Sequence, residues 1–445
     1  MPGKLDLSTI DSVTFHSLHH IKNKTGPAVD IHQQYWNQTA GSTLKRFLAS
    51  AGYDARSQCH ILDQFSNLVA PFLGSSPALG EPQWKSFMTD NHCPVELSWD
   101  FHVADSQPTI RYSMEPIGLK AGTAADLYNN RVDEEFAKRA IRAFPGTDTT
   151  LFNHFYDYFN GQWTADKPEG HCSTMFWAFD LKESATTNKA YFFPGAVAHS
   201  VGKSTLDVVT DAISSAPGCQ PENISAFASF ARFVNVRRYL NLEMDILALD
   251  LVPIEKSRLK IYFRDRRTDF RSVTEMMSLG GRIHGADFDV GMSNLRNLWD
   301  TLLGTSGVPD DIPLPHNNHR TAGILYNVEL RTNSTIPKVK IYIPVRHYAK
   351  NDSQILEALK GFLTDQASKL PDVAIDLNWA KRYSDCLYSI LLVFWPLAIY
   401  QDVLWLTAPS GEEMLSNGLG VHTYIGCSIQ SKGDLRVVAY VNPQQ

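Results

Sequence analysis

Three stretches of this chain place a lysine two residues before a tyrosine: Lys189-Ala-Tyr191, Lys260-Ile-Tyr262 and Lys340-Ile-Tyr342. On an extended strand, residues two apart share a face. Within Ser257 to Asp265, Arg258, Lys260 and Tyr262 therefore point one way while Leu259, Ile261 and Phe263 point the other. Any one such stretch describes a half-buried strand with its charged row in water. Recurrence on three strands points instead to a shared cationic interior, with the aliphatic rows turned outward against helices. With Arg111, five cations (Arg111, Lys189, Arg258, Lys260, Lys340) meet there, and buried charges are costly unless paired. A bound anion is the expected partner. A diphosphate suits them, since arginine offers bidentate geometry and lysine a point charge. The interleaved Tyr191, Tyr262, Tyr342 and Tyr440 add hydroxyl donors and electron-rich ring faces that attract a cation. Diphosphate beside an aromatic cage is what making and shielding an allylic carbocation requires.

The elements that must hold these residues alternate between helix pairs and hairpins. Apolar spacings of three and four predict helices near 39–50 and 59–72, Val132 to Phe144 and Thr149 to Phe159, Ser204 to Ser215 and Ile224 to Tyr239, Val273 to Leu279 and Met292 to Leu303, and Ser353 to Phe362 and Trp379 to Ile399. After each pair comes a predicted hairpin: Val95 to Val103 with Thr109 to Pro116, Thr174 to Leu181 with Ala190 to Pro194, Met244 to Val252 with Arg258 to Arg264, Gly323 to Arg331 with Val339 to Val345, and His422 to Gln430 with Leu435 to Asn442. Five helix-helix-strand-strand repeats follow one another at intervals of about 70 to 100 residues. Ten strands joined by short turns are antiparallel neighbours and can close into a barrel with the helices outside. The expectation is an α+β fold with one barrel domain over residues 1–445, undivided by any Pro/Gly/Ser-rich linker.

Composition narrows the function classes. A net charge of -6, from 41 basic and 47 acidic residues, argues against a nucleic-acid partner. Apolar content of 43% describes a chain with ample core. Residues Met1 to Thr14 show no charged segment followed by an apolar run, so the chain is expected to stay in the cytoplasm. The six cysteines have no metal-ligand spacing and read as reduced thiols. Leu387 to Tyr400 is too short to span a bilayer and reads as a buried helix interrupted at Pro396. No G-x-S-x-G elbow, Walker loop or Rossmann fingerprint appears. Asp310 and Asp311 are followed by Ile-Pro-Leu, which reads as a loop and not a magnesium-binding Asp-Asp-x-x-Asp box.

The segments Pro94 to Trp99 (PVELSW), Arg111 to Gly118 (RYSMEPIG), Phe179 to Lys182 (FDLK), Lys189 to Pro194 (KAYFFP), Ser257 to Tyr262 (SRLKIY) and Pro337 to Val345 (PKVKIYIPV) occur in the order found in the fungal indole prenyltransferases of the dimethylallyltryptophan synthase family, which this chain resembles over nearly its whole length. The resemblance implies the ABBA prenyltransferase barrel and metal-independent transfer of a dimethylallyl group from dimethylallyl diphosphate to an aromatic ring, with no cofactor, in a monomer or homodimer. It also implies that Glu96 accepts a hydrogen bond from the indole N–H, and that Arg111, Lys189, Arg258, Lys260 and Lys340 cradle the diphosphate. Tyr191, Tyr262, Tyr342 and Tyr440 would shield the cation, and Lys182 would take the ring proton.

Four positions depart from the family pattern. Lys340 stands for a cradle glutamine, and Arg436 stands where another shielding tyrosine is common. Phe193 replaces a tyrosine, and Asp245 an arginine, that together hold the carboxylate of free tryptophan. These last two point to a tryptophan-containing cyclic dipeptide or related indole alkaloid as acceptor. Free L-tryptophan, L-tyrosine or a phenolic aromatic is the alternative, and a non-catalytic barrel carrying a hydrophobic ligand is the rival outside enzymes.

Overall fold

The computed structural model describes residues 30–101, 107–129, 132–160, 171, 173–182, 186–220, 223–332, 334–369, 379–399 and 420–443, with the backbone alone for 391–399. The expected first-hairpin turn at Asp105 and the end of the apolar stretch at Tyr400 lie outside these residues. Ten strands close into one barrel: β1 (Val95–Phe101), β2 (Thr109–Met114), β3 (Met175–Leu181), β4 (Thr186–Phe192), β5 (Glu243–Asp250), β6 (Leu259–Asp265), β7 (Ile324–Leu330), β8 (Lys338–Ile343), β9 (His422–Ile429) and β10 (Leu435–Val441). Each pairs antiparallel with its neighbours in the chain, and β1 pairs with β10, Leu97 opposite Val441 and Ser98 opposite Tyr440. Closure leaves no edge strand with unpaired backbone groups.

β6 carries the logic of the barrel. All seven of its residues are buried. The row Leu259, Ile261 and Phe263 faces the helical layer, where Phe263 meets Phe230 of helix Ser225–Val236 at 5.4 Å between ring centroids. Burying each such side chain contributes about 1.5–3 kcal/mol. The other row, Lys260 and Tyr262, faces the interior.

Helices precede each hairpin, capped where the sequence supplies an acceptor; Asp54 takes Arg56 N at 2.8 Å and Ser57 N at 2.9 Å ahead of Ala55–Gln64. Two additions break the strict pairs: Pro194–Val201 and the single turn Val345–Tyr348. Pro194 was expected to end a strand. It starts a helix instead, because a proline at the first helical position gives up no intrahelical bond. The long helix Trp379–Ile399 continues through Pro396, where an interruption was expected. Among the described residues no helix is long and apolar enough to cross a membrane.

Candidate active site

A layer of four tyrosines divides the barrel interior. Tyr191 and Tyr262 lie 6.0 Å apart between ring centroids, Tyr262 and Tyr342 5.7 Å, and Tyr342 and Tyr440 5.5 Å. All four line both a lower, polar chamber and an upper, largely apolar one. Asn327 Nδ2 donates to the Tyr342 hydroxyl at 2.8 Å, which sits 3.3 Å from that of Tyr262. Burial holds the Tyr191, Tyr342 and Tyr440 hydroxyls protonated far above their ordinary range.

The lower chamber gathers Arg111, Lys189, Arg258, Lys260 and Lys340, as the alternation predicts. The expectation that they await an anion is only partly right. Strand neighbours already supply carboxylates, because the residue opposite a cation in a cross-strand pair is acidic: Arg111 faces Asp180, Lys189 faces Asp250, and Lys260 faces Glu329. Asp180 binds Lys189 and, at 3.0 Å, Arg111 Nε. Asp250 binds Arg258 and, at 3.0 Å, Lys260. Asp100, fully buried, binds Arg111 and Arg436. Burial would raise Asp180 and Asp250. The adjacent cations outweigh it, so Asp180 lies well below the carboxylate range and Asp250 at about 2.

Lys340 differs from the other four. It makes no ion pair among the described residues; its Nζ donates to the Tyr440 hydroxyl at 3.0 Å and lies 4.5 Å from the Tyr342 ring centroid. Burial, reinforced by Arg111, pushes it down to about 7, and burial takes Lys189 down to about 8 against the pull of Asp180. Gly426 leaves room for this lysine: a Cβ there would come within 2.8 Å of Lys340 Cε and 3.1 Å of Tyr440. Arg436, the expected departure from a shielding tyrosine, is a further cation of the lower chamber. Eight cations line the chamber (Arg111, Lys189, Arg258, Lys260, Arg331, Lys338, Lys340 and Arg436), and the four carboxylates paired among them (Asp100, Asp180, Asp250 and Glu329) leave it net positive.

The upper chamber holds Glu96, with walls from Phe87, Met88, Phe176, Ile246, Leu325 and Tyr424. Thr423 Oγ1 donates to Glu96 Oε1 at 2.7 Å. Burial still pushes the Glu96 carboxyl up to about 8, against that hydrogen bond. Two register shifts shape this half. In β5 the pairing steps from Met244–Phe263 to Ile246–Tyr262, so Asp245 is an extra residue, and both Asp245 and Ile246 reach the chamber. Between β9 and β10 it steps from Ala439–Ile425 to Val441–His422, so Thr423 and Tyr424 together oppose Tyr440 and both reach the chamber. The loop bearing Phe87, Met88 and Asp90 is pinned from below by the buried Glu115, which accepts from Trp84 Nε1 at 3.0 Å, Phe87 N at 3.3 Å and Ser86 Oγ at 2.5 Å.

Two expected site residues lie elsewhere. Lys182 is exposed one residue past the end of β3 and lines neither chamber. It is six residues beyond Phe176, the β3 residue of the upper chamber, or about 20 Å along a strand. Phe193 leaves β4 as the N-cap of the unforeseen helix, and packs behind the chamber wall against Phe176 at 4.7 Å and Phe87 at 5.9 Å between ring centroids. Asp310 and Asp311 sit in an outer loop, paired with Arg296 at 2.8 Å and Arg271 at 3.2 Å. Sequence reasoning missed Tyr424, Thr423, Arg264 and the acids Asp100, Asp180 and Asp250. The acids follow the same alternation as their cations and were legible; Thr423 depends on the register shift and was not.

A cationic chamber, a tyrosine layer and a carboxyl above it define an aromatic prenyltransferase. The profile of the family described as tryptophan dimethylallyltransferase matches residues 32–371, and the chain belongs to that family. It is 35% identical over 430 residues to the 7-dimethylallyltryptophan synthase hasE of Aspergillus fumigatus, covering 92% of this chain and 84% of that one. It is 33% identical over 436 residues to the 4-O-dimethylallyl-L-tyrosine synthase of Claviceps purpurea, covering 95% and 90%. The crystal structure of AnaPT from Neosartorya fischeri matches with a TM-score of 0.73 at 25% identity, over 94% of this chain and 95% of that one. The barrel is the ABBA prenyltransferase fold.

Proposed function

We propose that the enzyme transfers a dimethylallyl group from dimethylallyl diphosphate to the ring of an aromatic amino acid, tryptophan or tyrosine, without a metal. The observation that carries this reading is the tyrosine layer lying between a net-positive chamber and one that presents Glu96. The allylic C–O bond breaks and its electron pair leaves with the diphosphate, whose charge the preorganised cations stabilise. The four ring faces hold the allyl cation away from water. A ring atom in the upper chamber donates the electron pair of the new bond, aligned by the chamber walls. Glu96 accepts the indole N–H or phenol O–H, and its value of about 8 suits a base working near neutrality. With Lys182 outside the chamber, Glu96 is also the group we assign to receive the proton the ring loses.

A neutral, tryptophan-containing cyclic dipeptide is the second reading. It is supported by Phe193, which offers no hydroxyl to an amino-acid carboxylate. Against it, the upper chamber carries two ion pairs, Asp90 with Arg346 at 3.3 Å and Asp245 with Arg264 at 3.7 Å, which offer a zwitterion both signs of charge and a neutral acceptor no added partner. The test is an endpoint assay by mass spectrometry with dimethylallyl diphosphate, EDTA, L-tryptophan, L-tyrosine, tryptophan-containing cyclic dipeptides and a hydroxynaphthalene. Gain of one dimethylallyl unit on an amino acid is the expected result. Intact donor with every acceptor would overturn the transferase reading, and complete loss of turnover in EDTA alone would overturn its metal independence.

A further inference from the structure

At the mouth of the upper chamber one hydroxyl is shared by three groups. Thr321 Oγ1 lies 2.9 Å from Asp90 Oδ1, 2.8 Å from His319 Nδ1 and 2.6 Å from His347 Nε2. His319 Nδ1 already accepts from the Thr321 backbone N–H at 3.2 Å, so it carries a lone pair toward the hydroxyl. Asp90 can only accept as a carboxylate, and a threonine hydroxyl has one proton. Two acceptors therefore compete for a single donor, beside a histidine that burial keeps neutral, its value down at about 4. Thr321 is fixed there by Arg264, whose NH1 donates to the Thr321 carbonyl at 2.7 Å. Arg346 stands alongside, its Nε 3.3 Å from Asp90 Oδ2. Asp90, Thr321, Arg346 and His347 all line the chamber that holds Glu96.

We infer that this cluster is a clamp for the head group of an amino-acid acceptor, the α-ammonium on Asp90 and the His347–Thr321 pair and the α-carboxylate on Arg346. The inference rests on the amino-acid reading above and deepens it. An ammonium brings three N–H donors to a site short of them, and a carboxylate gives Arg346 a second partner besides Asp90. The clamp stands in for the tyrosine and arginine replaced by Phe193 and Asp245. It explains how a chamber lacking both still suits a zwitterion. Asp90, His319 and His347 could also hold a divalent cation, their ligand atoms lying within 4.8 Å of one another. EDTA in the assay removes that cation as an alternative occupant.

The test compares kcat/KM for L-tryptophan, tryptamine, which lacks the carboxylate, and indole-3-propionate, which lacks the ammonium, in wild type, Arg346→Gln and Asp90→Asn. Wild type is expected to favour L-tryptophan at least tenfold over both. Arg346→Gln is expected to cut the preference for L-tryptophan over tryptamine at least tenfold, and Asp90→Asn to cut the preference over indole-3-propionate similarly. Equal loss on all three acceptors in either variant would mean a structural role and overturn the clamp, as would a wild type indifferent to the head group. A wild type that turns over only the cyclic dipeptide would overturn the clamp and leave the transferase standing. No product from any of these, nor from L-tyrosine, tyramine and 3-(4-hydroxyphenyl)propionate run as the matching tyrosine series, would remove both.

Discussion

Below the tyrosine layer, the inward polar side chains come from the regular alternation of strands, with Arg111, Lys189 and Lys260 each opposite an acid on the next strand and Lys340 opposite Asn327 and Ser428. Above it, much of the polar lining comes from places where regularity fails: the extra residue Asp245 in β5, Thr423 at the β9–β10 register shift, Asp90 and Thr321 from loops, and Arg346 and His347 from a single helical turn. Cross-strand pairing makes the lower half rigid, because changing one charge strands another. Bulges and loops can change one at a time. On the proposed reading, the donor sits in the half that resists change and the acceptor in the half that tolerates it.

That contrast can be broken first by removing a buried acid. Asp250→Ala leaves Arg258 and Lys260 short of a counter-charge, and losing one partner of such a group costs about 3–5 kcal/mol. Thermal unfolding is expected to show a clear loss of stability that inorganic diphosphate partly restores, since the anion takes the carboxylate's place. No loss, or no recovery, would mean that the lower chamber is not held by these pairs.

The two halves also differ in pH response, with opposite signs. Glu96 is ionised only above about 8, so kcat/KM for the acceptor is expected to rise as pH increases toward 8. Lys340 at about 7 and Lys189 at about 8 lose their protons over the same range, and an anion binds the protonated forms. Donor affinity is expected to fall from pH 7 to 9, with proton uptake on donor binding measurable by calorimetry in buffers of different ionisation enthalpy. Parallel profiles for donor and acceptor would erase the distinction. The smallest effect is expected from Gly426→Ala, whose methyl must displace Lys340 or Tyr440. A few-fold rise in donor KM without change in the acceptor KM is the outcome to look for.

Legibility in the sequence follows the same line. The ten strands and the Lys-x-Tyr rows were readable because a closed barrel keeps the two-residue period intact, and the expected strand ends fall within a few residues of those observed. Asp100, Asp180 and Asp250 share that period with their cations; counting charges of one sign overlooked them. Phe193 leaves the strand alternation because Pro194, a residue that also ends strands, opens a helix there. Thr423 and Asp245 reach the chamber through register shifts that no alternation rule contains. Thr321, Arg346 and His347 meet at the open end of the β7–β8 hairpin, and Asp90, from the segment before β1, joins them only through the closing of the barrel.

The measurement that most directly tests the division of labour is a steady-state comparison of Lys189→Ala and Glu96→Gln, with both substrates varied. Loss of the lysine is expected to raise donor KM about tenfold or more, the scale of one charge-assisted hydrogen bond, and to spare acceptor KM. Loss of the carboxylate is expected to lower kcat about 10²-fold or more while donor affinity holds. If either substitution shifts both substrates alike, the tyrosine layer does not separate a donor chamber from an acceptor chamber.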